Sequence, residues 1–506
     1  MKTYNIFYFE NYSFDKNTLL ATFNYSFDSE LFFSESISFL DKNFSLRTNL
    51  DFEIINNVLF HIHLALWISY YKFYPTKKLV LKTGVLDEFQ TKFWQKFYLN
   101  WLWEFFYKNE IDPNGLLEFS PSPNPSPLWV ECKSRVFIST SPPSDRCSVW
   151  GAEKYLVPVW WWKDSIVSIE LLKKMWKQID AVTFSVDDNI LYENTAKNAW
   201  INRLFIKREL SKNIREVIAY WSYNWHVPIT WMIAFVLQLA CYLYDYKYII
   251  LSNELSANFE NTTWKWVSIN HQWSKSLEFE QDFGEYVSKY ISKEIKYFSL
   301  LRPFYELKIA ELFSKNAKKY FSSFSSCNKN FKIFKKSHPL IPPYQGGEEI
   351  LPLTPPNLPL SGEESNFPLI RGIEGVFWCN SCPKCVFVYS ILRPFLNHNE
   401  IISIFGRELY EDKALETLFR ELLWITWIKP FECVGTNEEV ILAMKLASEK
   451  WIWKLPYILQ IFKNEIDSKM NENDFELLKQ KILIPNFKNN IIENEILEEL
   501  KKNKMI

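Results

Sequence analysis

The sequence has little glycine: 11 in 506 residues, where ordinary usage of about 7% would give roughly 35. No GxxxxGK[ST] occurs, which excludes a P-loop nucleotide site in the chain as written. A dominant charge is also missing. Lys and Arg number 58 and Asp and Glu 59, so no global field attracts nucleic acid or an anionic membrane, and neither is expected as a partner. The longest apolar run, Ile229 to Tyr244, includes Gln238 and falls short of the roughly 20 residues that span a bilayer, so a buried helix is expected there. The first residues, MKTYNIFYFENYSFD, carry Glu10 and Asp15 where a signal peptide has a basic head and an apolar stretch, which points to a cytoplasmic protein. Eight cysteines are too few for a disulfide scaffold. What is present, 48% apolar and 23% charged residues, is the make-up of a globular chain with two or three domain cores.

Tryptophan, at 22, stands in places that suit glycine: WLWEFFYKNE, VPVWWWKDS, YWSYNWHVP and LLWITWIKPF. Glycine is needed where φ is positive or where backbone must approach a ligand closely. The expectation is a gene from a lineage that reads UGA as glycine, written here with UGA as tryptophan. The alternative is an aromatic-rich protein, since 18% aromatics also fits the Phe, Tyr, Lys, Asn and Ile bias of an AT-rich gene.

Periodicity divides the chain. Residues 1–117 mix alternating segments such as LLATFNYSF with a helix expected from Ile54 to Tyr74, and read as an N-terminal α/β domain. Residues 118–148 are dense in Ser and Pro and read as a linker or insertion. Residues 149–300 show βαβ alternation: LVPV, the helix SIVSIELLKKMWKQ, AVTFSV, the helix ITWMIAFVLQLACYLYDY and KYIILS, hence a parallel sheet. Residues 301–470 form a C-terminal helical region with a cysteine cluster, interrupted at 337–372 by a Pro/Gly-rich stretch without periodicity. Residues 471–506 are rich in Lys, Glu and Asn and read as a solvated terminal helix.

Three constellations carry chemistry. In VPVWWWKDS, Trp160, Trp161, Trp162, Lys163, Asp164 and Ser165 join a strand to a helix, where successive N–H groups and the helix's positive end favour phosphate. With glycine at 160 to 162 it becomes VPVGGGKDS, which resembles the pyrophosphate-binding loop of the PP-loop ATPases; that resemblance implies cleavage of ATP to AMP and pyrophosphate. As written, three indoles fill the anion pocket, and the bland reading is a strand end followed by a helix cap. The second is the polar block SNELSANFENTTWKWVSINHQWSKSLEFE. Its Ser252, Asn253, Glu254, Ser256, Asn258, Asn270, Gln272, Ser274, Ser276, Glu278 and Glu280 suit carboxylates, amides, phosphates and Mg²⁺, with SNE at a strand's C-terminal end, where parallel sheets place ligands. Asn224, beside His226 in YNWHVPIT, belongs to the same set; the bland reading is a polar surface loop. The third is Cys327 with Cys379, Cys382 and Cys385 in CNSCPKC, four thiolates that suit a closed structural Zn²⁺ site, against a three-ligand site with a reduced fourth cysteine.

Together WLWEFFYKNEID, VPVWWWKDS, YNWHVPIT, SNELSANFEN, INHQWSKSLEFE, the SCN and CPKC cysteines and KPFECVGTNEE resemble one family, the UDP-N-acetylmuramoyl-L-alanyl-L-glutamate epimerases of peptidoglycan synthesis. The departures are the tryptophans at glycine positions and Glu260 where a small residue is expected. The resemblance implies inversion of the terminal L-glutamate Cα on a UDP-linked muramyl dipeptide, with ATP and Mg²⁺. Loss of an α-proton beside a free carboxylate would create a dianion, and adenylating that carboxylate avoids it. Groups able to exchange the proton near neutrality are His226, His271, Lys275 and Cys433, with His271 favoured. Two other readings stay open: a PP-loop adenylating enzyme acting on tRNA or another carboxylate, and a catalytically inactive, zinc-stabilised binding protein if Trp160 to Trp162 are genuine. The expected fold class is α/β with a PP-loop-like parallel sheet core.

Overall fold

Alternating apolar positions build the first strands: in β1 (Ile6–Asp15) Phe7 and Phe9 point into the core. The computed structural model describes residues 3–121, 153–160, 162–219, 222–223, 229–265, 267–328, 378–426, 430, 432–452 and 454–503. Strands β1, β2 (Leu20–Phe27) and β3 (Leu31–Ser38) form an antiparallel meander. Next come helices α1 (Phe52–Leu66) and α2 (Ile68–Tyr71), β4 (Lys78–Leu81), α3 (Glu88–Lys108) and β5 (Glu118–Pro121). The stretch Phe52–Tyr71, long and apolar enough to cross a membrane by length and mean hydropathy, is here mostly buried against β1 and the helix at 229–244.

The second half of the sheet follows the βαβ alternation expected from sequence. Strands β6 (Lys154–Pro158), β7 (Gln178–Ser185), β8 (Arg203–Glu209), β9 (Tyr248–Leu251) and β12 (Lys296–Ser299) are parallel, with the hairpin β10 (Thr262–Trp264) and β11 (Val267–Ile269) outside the sheet. Their connections carry α4 (Lys163–Lys174), α5 (Ile190–Ala199), α6 (Ile214–Ala219), α7 (Ile229–Tyr244) and α8 (Leu277–Tyr290). One 10-stranded sheet runs β12-β9-β6-β7-β8-β3-β2-β1-β4-β5. From β6 the chain winds outward to β7 and β8, then returns to the other side for β9 and β12. The topological switch point therefore lies between β6 and β9, where open α/β sheets bind ligands. The N-terminal meander continues this sheet through the antiparallel β3–β8 pair, Ile37 opposite Arg208.

That seam is held by a buried ion pair. Arg208 Nε lies 2.6 Å from Glu35 Oε1, Tyr70 donates to Glu35 at 2.8 Å, and Arg208 Nη2 donates to Ser69 Oγ at 2.8 Å. Removing one partner strands a buried charge, so Arg208→Leu is expected to cost about 3–5 kcal/mol in urea unfolding, with most of it recovered in the Glu35→Leu/Arg208→Leu double variant. A single variant within about 1 kcal/mol of the parent would contradict this account.

The opposite face of the parallel sheet carries α4 and the C-terminal helices α9 (Glu306–Asn316), α10 (Pro383–Leu392), α11 (His398–Phe405), α12 (Glu416–Leu422), α13 (Asn437–Glu449) and α14 (Tyr457–Glu465). Two expectations change here. The tail is two helices, α15 (Glu472–Leu483) and α16 (Asn494–Lys502), and it is docked: Phe475, Ile482, Ile496 and Leu500 are buried in this core, so spaced apolar residues outweigh the Lys/Glu composition. The Ser/Pro-rich stretch begins as β5, parallel to β4 at the sheet edge, where a terminal proline costs no ladder bond. Residues 122–148 and 337–372 lie outside the described residues.

Three helix ends bear on the tryptophan question. Trp176, Trp200 and Trp424 have φ of 56°, 59° and 62° at the ends of α4, α5 and α12. The amides that follow them close back on the helix: Lys177 N to Leu172 O, Ile201 N to Ala196 O and Ile425 N to Arg420 O. This is the Schellman geometry, whose left-handed residue is ordinarily glycine. Trp176 and Trp200 are 94% and 88% exposed, so no packing compensates the strained backbone. Inside the core, Trp101 and Trp231 stack at 5.5 Å, and their indole N–H groups find no acceptor among the described residues.

Candidate active site

The loop after β6 reaches the switch point and turns into α4. Trp162 is the residue before the helix, and Lys163, Asp164 and Ser165 form its first turn. Ser165 Oγ donates to the carbonyls of Trp160 (2.8 Å) and Trp162 (3.1 Å), folding the loop onto the helix start. One turn on, Ser168 lies 2.7 Å from Ser252, the first residue beyond β9, so the start of α4 is tied to the end of the strand across the switch point. Asn253, Glu254 and Ser256 follow, all buried.

Here a charged cluster is buried. Lys163 pairs with both Asp164 and Glu306, and Lys384 Nζ lies 3.3 Å from Glu306 Oε1. Burial disfavours every one of these charges. For Glu306 the lysines 163 and 384 outweigh burial and hold the carboxyl down at about 2. Asp164 and Glu254 are instead pushed up, by burial and then by the negative Glu306. Crowded carboxylates of this kind favour a divalent cation. Ser256 Oγ accepts from Glu306 N and donates to Glu439 Oε1, both at 3.3 Å, which brings in the start of α13. Gly435 fits tightly there, since a Cβ would overlap the Glu439 carboxylate.

Next to it lies a Cys–His–Glu chain. Glu104 on α3 accepts from His271 Nδ1 at 2.5 Å, and His271 shares a hydrogen bond with Cys433. For His271, burial opposes the charge, but Cys433 and Glu104 win and raise it to about 10. For Cys433, burial again opposes ionisation, while Lys275 and His271 bring the thiol down to about 6. Each group thus favours the charged form of the other, thiolate beside imidazolium. Glu432 rises to about 7 through burial and the adjacent thiolate. Lys275 bridges the two halves: its positive charge favours the Cys433 thiolate, and its Nζ lies 4.5 Å from the Trp162 ring centroid.

The remaining candidates divide by contact. Gln272 donates to Val434 O at 3.4 Å and accepts from Lys275 at 3.4 Å, inside the same cluster. Asn258 accepts from Leu277 N, Asn270 bridges Ala257 O and Gln272 N, Ser276 caps α8, and Ser274 is buried beside it. Glu280 is bound by Arg302, Ser299 and Asn253, and Glu278 turns to Lys96 and the Trp273 indole. Trp161, Asn224 and His226 lie outside the described residues. Sequence reasoning gave no role to Glu104, Glu306, Lys384, Glu432 or Glu439. Four of them lie in or beside motifs already singled out, and Glu306 had no local signal.

At the start of α10, Cys379, Cys382 and Cys385 meet Cys327, with all four sulfurs within 4.8 Å of one another. Cys385 lies 3.4 Å from Cys382 and 3.6 Å from Cys379, sulfur to sulfur, near the spacing of about 3.8 Å that tetrahedral Zn–S bonds of about 2.3 Å require. Asn380, with φ of 53°, makes the turn between the first two. This cluster could hold a metal ion.

Fold and site together define a doubly wound α/β protein with a buried cluster of ionisable residues at its switch point. The profile of the MurL N-terminal domain matches residues 1–300 and that of the MurL C-terminal domain residues 364–476, and the chain belongs to the MurL family. It is 28% identical to the UDP-N-acetyl-alpha-D-muramoyl-L-alanyl-L-glutamate epimerase of Xanthomonas oryzae pv. oryzae over 471 residues, 93% of this chain and 92% of that one. Proteins of the same name from Micromonospora sp. and Salinispora tropica are 28% and 29% identical, over 90% of this chain and 89% and 87% of theirs.

Proposed function

We propose that the protein, with glycine in place of the tryptophans at 160 to 162, epimerises the terminal L-glutamate of UDP-MurNAc-L-Ala-L-Glu to D-glutamate for peptidoglycan synthesis, using ATP and Mg²⁺. The observation that carries this reading is the buried group Cys433, His271 and Glu104 placed, through Lys275, beside the loop between β6 and α4. The epimerase name of three relatives that span nearly the whole chain supports it. ATP, when bound, supplies activation of the glutamate carboxylate. Lys163 and Lys275 would face its phosphates, and Asp164, Glu254 and Glu306 would hold Mg²⁺.

This donor set fits a nucleotide with glycine at 160 and 162. With indoles there it does not, because the Trp162 ring stands among the lysines. We therefore read these tryptophans, like those at the left-handed helix ends, as glycine positions. With the indoles retained, the inactive zinc-stabilised protein is the better reading.

Cys433 takes the Cα proton as thiolate and His271 returns one as imidazolium, while Glu104 keeps the ring oriented and charged. Their mutual hydrogen bond then resets the pair by a single proton transfer. Burial keeps bulk water from the carbanion-like centre during the proton exchange, and hydrolysis of the activated carboxylate by one water afterwards would release the D-glutamate product and AMP. Incubating the glycine form with UDP-MurNAc-L-Ala-L-Glu and ATP, and following AMP, pyrophosphate and glutamate chirality, tests the assignment. Release of ADP would remove the PP-loop reading.

The four cysteines are assigned a structural Zn²⁺, about one per chain by elemental analysis. Cys382→Ser should lose the metal and lower the melting temperature, since a four-ligand site keeps no position open for substrate. Purified protein without zinc or iron would refute the site.

A further inference from the structure

Arg302 lies just past the end of β12 and is completely buried. A guanidinium is tolerated in such a place only where its donors are taken up. Nη2 donates to Glu280, which also accepts from Ser299 and Asn253. The other bonds go to the backbone of the site itself: Nη1 donates to Glu254 O at 2.7 Å, and Nη2 to Lys275 O at 2.6 Å. Those two residues belong to separate segments, Glu254 to the exit from β9 and Lys275 to the short 3-10 turn Trp273–Lys275. The guanidinium fork is planar and rigid, so it sets the spacing of the two carbonyls it spans. From the anchored carbonyl the Lys275 side chain extends toward Cys433, where, against burial, its charge is the strongest that favours the thiolate. The other titratable groups around this thiol are His271, Glu104 from α3, Lys384 from α10 and the adjacent Glu432.

We propose that Arg302 is a positioning residue of the reaction: it holds the backbone of Lys275 and Glu254 at a fixed separation and so keeps the Lys275 ammonium beside the Cys433 thiol. The inference rests on the part given to Cys433 above, while the contacts of Arg302 involve none of the residues at 160 to 162. Its charge is matched by Glu280, so Arg302 acts through its hydrogen bonds to backbone and not as a counter-ion of the thiol. A lysine at 302 would keep that charge, but its ammonium lacks the fork that spans both carbonyls. Without the fork, the turn that carries Lys275 loses a support, and the ammonium loses its fixed distance from the sulfur.

The test is alkylation of the full chain by iodoacetamide under native conditions as a function of pH, with the rate at Cys433 read by peptide mass spectrometry. It reports the thiol and needs no turnover. The parent is expected to show a midpoint of about 6. Arg302→Met should raise it by about one unit, a roughly tenfold fall in thiol acidity, as expected when an opposite charge moves away. Arg302→Lys should fall between the two. Lys275→Met should raise the midpoint at least as far, and adding Arg302→Met to it should move it little further, because one residue acts through the other. Arg208→Leu, which removes a buried arginine at the β3–β8 seam, should lower stability and leave the midpoint in place. If Arg302→Met does not fold, Arg302→Met/Glu280→Met, which leaves no stranded carboxylate, carries the same expectation. An unmoved midpoint overturns the positioning role and leaves the reading of Cys433 standing. So does a shift that adds in full to that of Lys275→Met, or an equal shift in Arg208→Leu. A parent midpoint at the ordinary thiol value of about 8.5 refutes the reading of Cys433 itself, and this proposal with it.

Discussion

The full chain with glycine at 160, 161 and 162 is expected to form AMP and pyrophosphate when given ATP and UDP-MurNAc-L-Ala-L-Glu, while the chain as written forms neither. The reason is steric. An anion at the start of α4 needs the backbone N–H groups of the loop, and Trp160 and Trp162 instead pack their rings on each other at 6.3 Å and on Leu191 and Tyr192. Each donor withheld from a developing charge is worth roughly 10²–10³ in rate, so losing the loop as a cradle should abolish measurable turnover. Asp164→Asn in the glycine form should abolish it too, since Asp164 belongs to the carboxylate group assigned to Mg²⁺. Independent support would come from Trp176→Gly, Trp200→Gly and Trp424→Gly. Relief of a left-handed residue is worth about 1–2 kcal/mol each, and all three should raise the melting temperature. The protein from its native host should be lighter than the written chain by whole Trp-to-Gly increments. A native protein with the written mass and full activity would end this reading.

What the sequence made legible was local. The alternation that yields β6, α4, β7, α7 and β9 is a matter of period, and both loops at the switch point, VPVWWWKDS and SNE, follow from those strands ending where they do. The cysteine site was legible through its spacing. The charged cluster was not, because its members come from segments far apart in the chain: Glu104 from α3, Glu306 from α9, Lys384 from α10 and Glu439 from α13. Alone, each is an ordinary helix residue, and Glu439 reads as half of a capping box with Thr436, which it also is. Only the sheet's winding converts them into one site. Equally, nothing in residues 31–38 announces that β3 will pair with β8, or that Glu35 will need Arg208.

Removing the thiol should separate epimerisation from ATP binding. Cys433→Ala in the glycine form is expected to lower the epimerisation rate by about 10²–10⁴, the range of a positioned base, with Mg·ATP affinity nearly unchanged. The parent should place solvent deuterium at the glutamate Cα in deuterated water, and His271→Ala should block that wash-in while leaving adenylation partly intact. The pH profile follows from the two charges. The thiolate exists above about 6 and the imidazolium below about 10, so kcat/KM should rise through the first value and fall through the second. Lys275, Lys384, Glu432 and Glu104 all face this pair, and of these Glu104 touches the imidazole directly. Glu104→Gln removes that stabilising carboxylate. It should therefore pull the upper limb toward neutrality and leave the lower limb, set chiefly by Lys275 and His271, closer to its place. An upper limb unmoved in Glu104→Gln would show that His271 is not the group that titrates there. Full wash-in by Cys433→Ala would return the base assignment to His271 or Lys275.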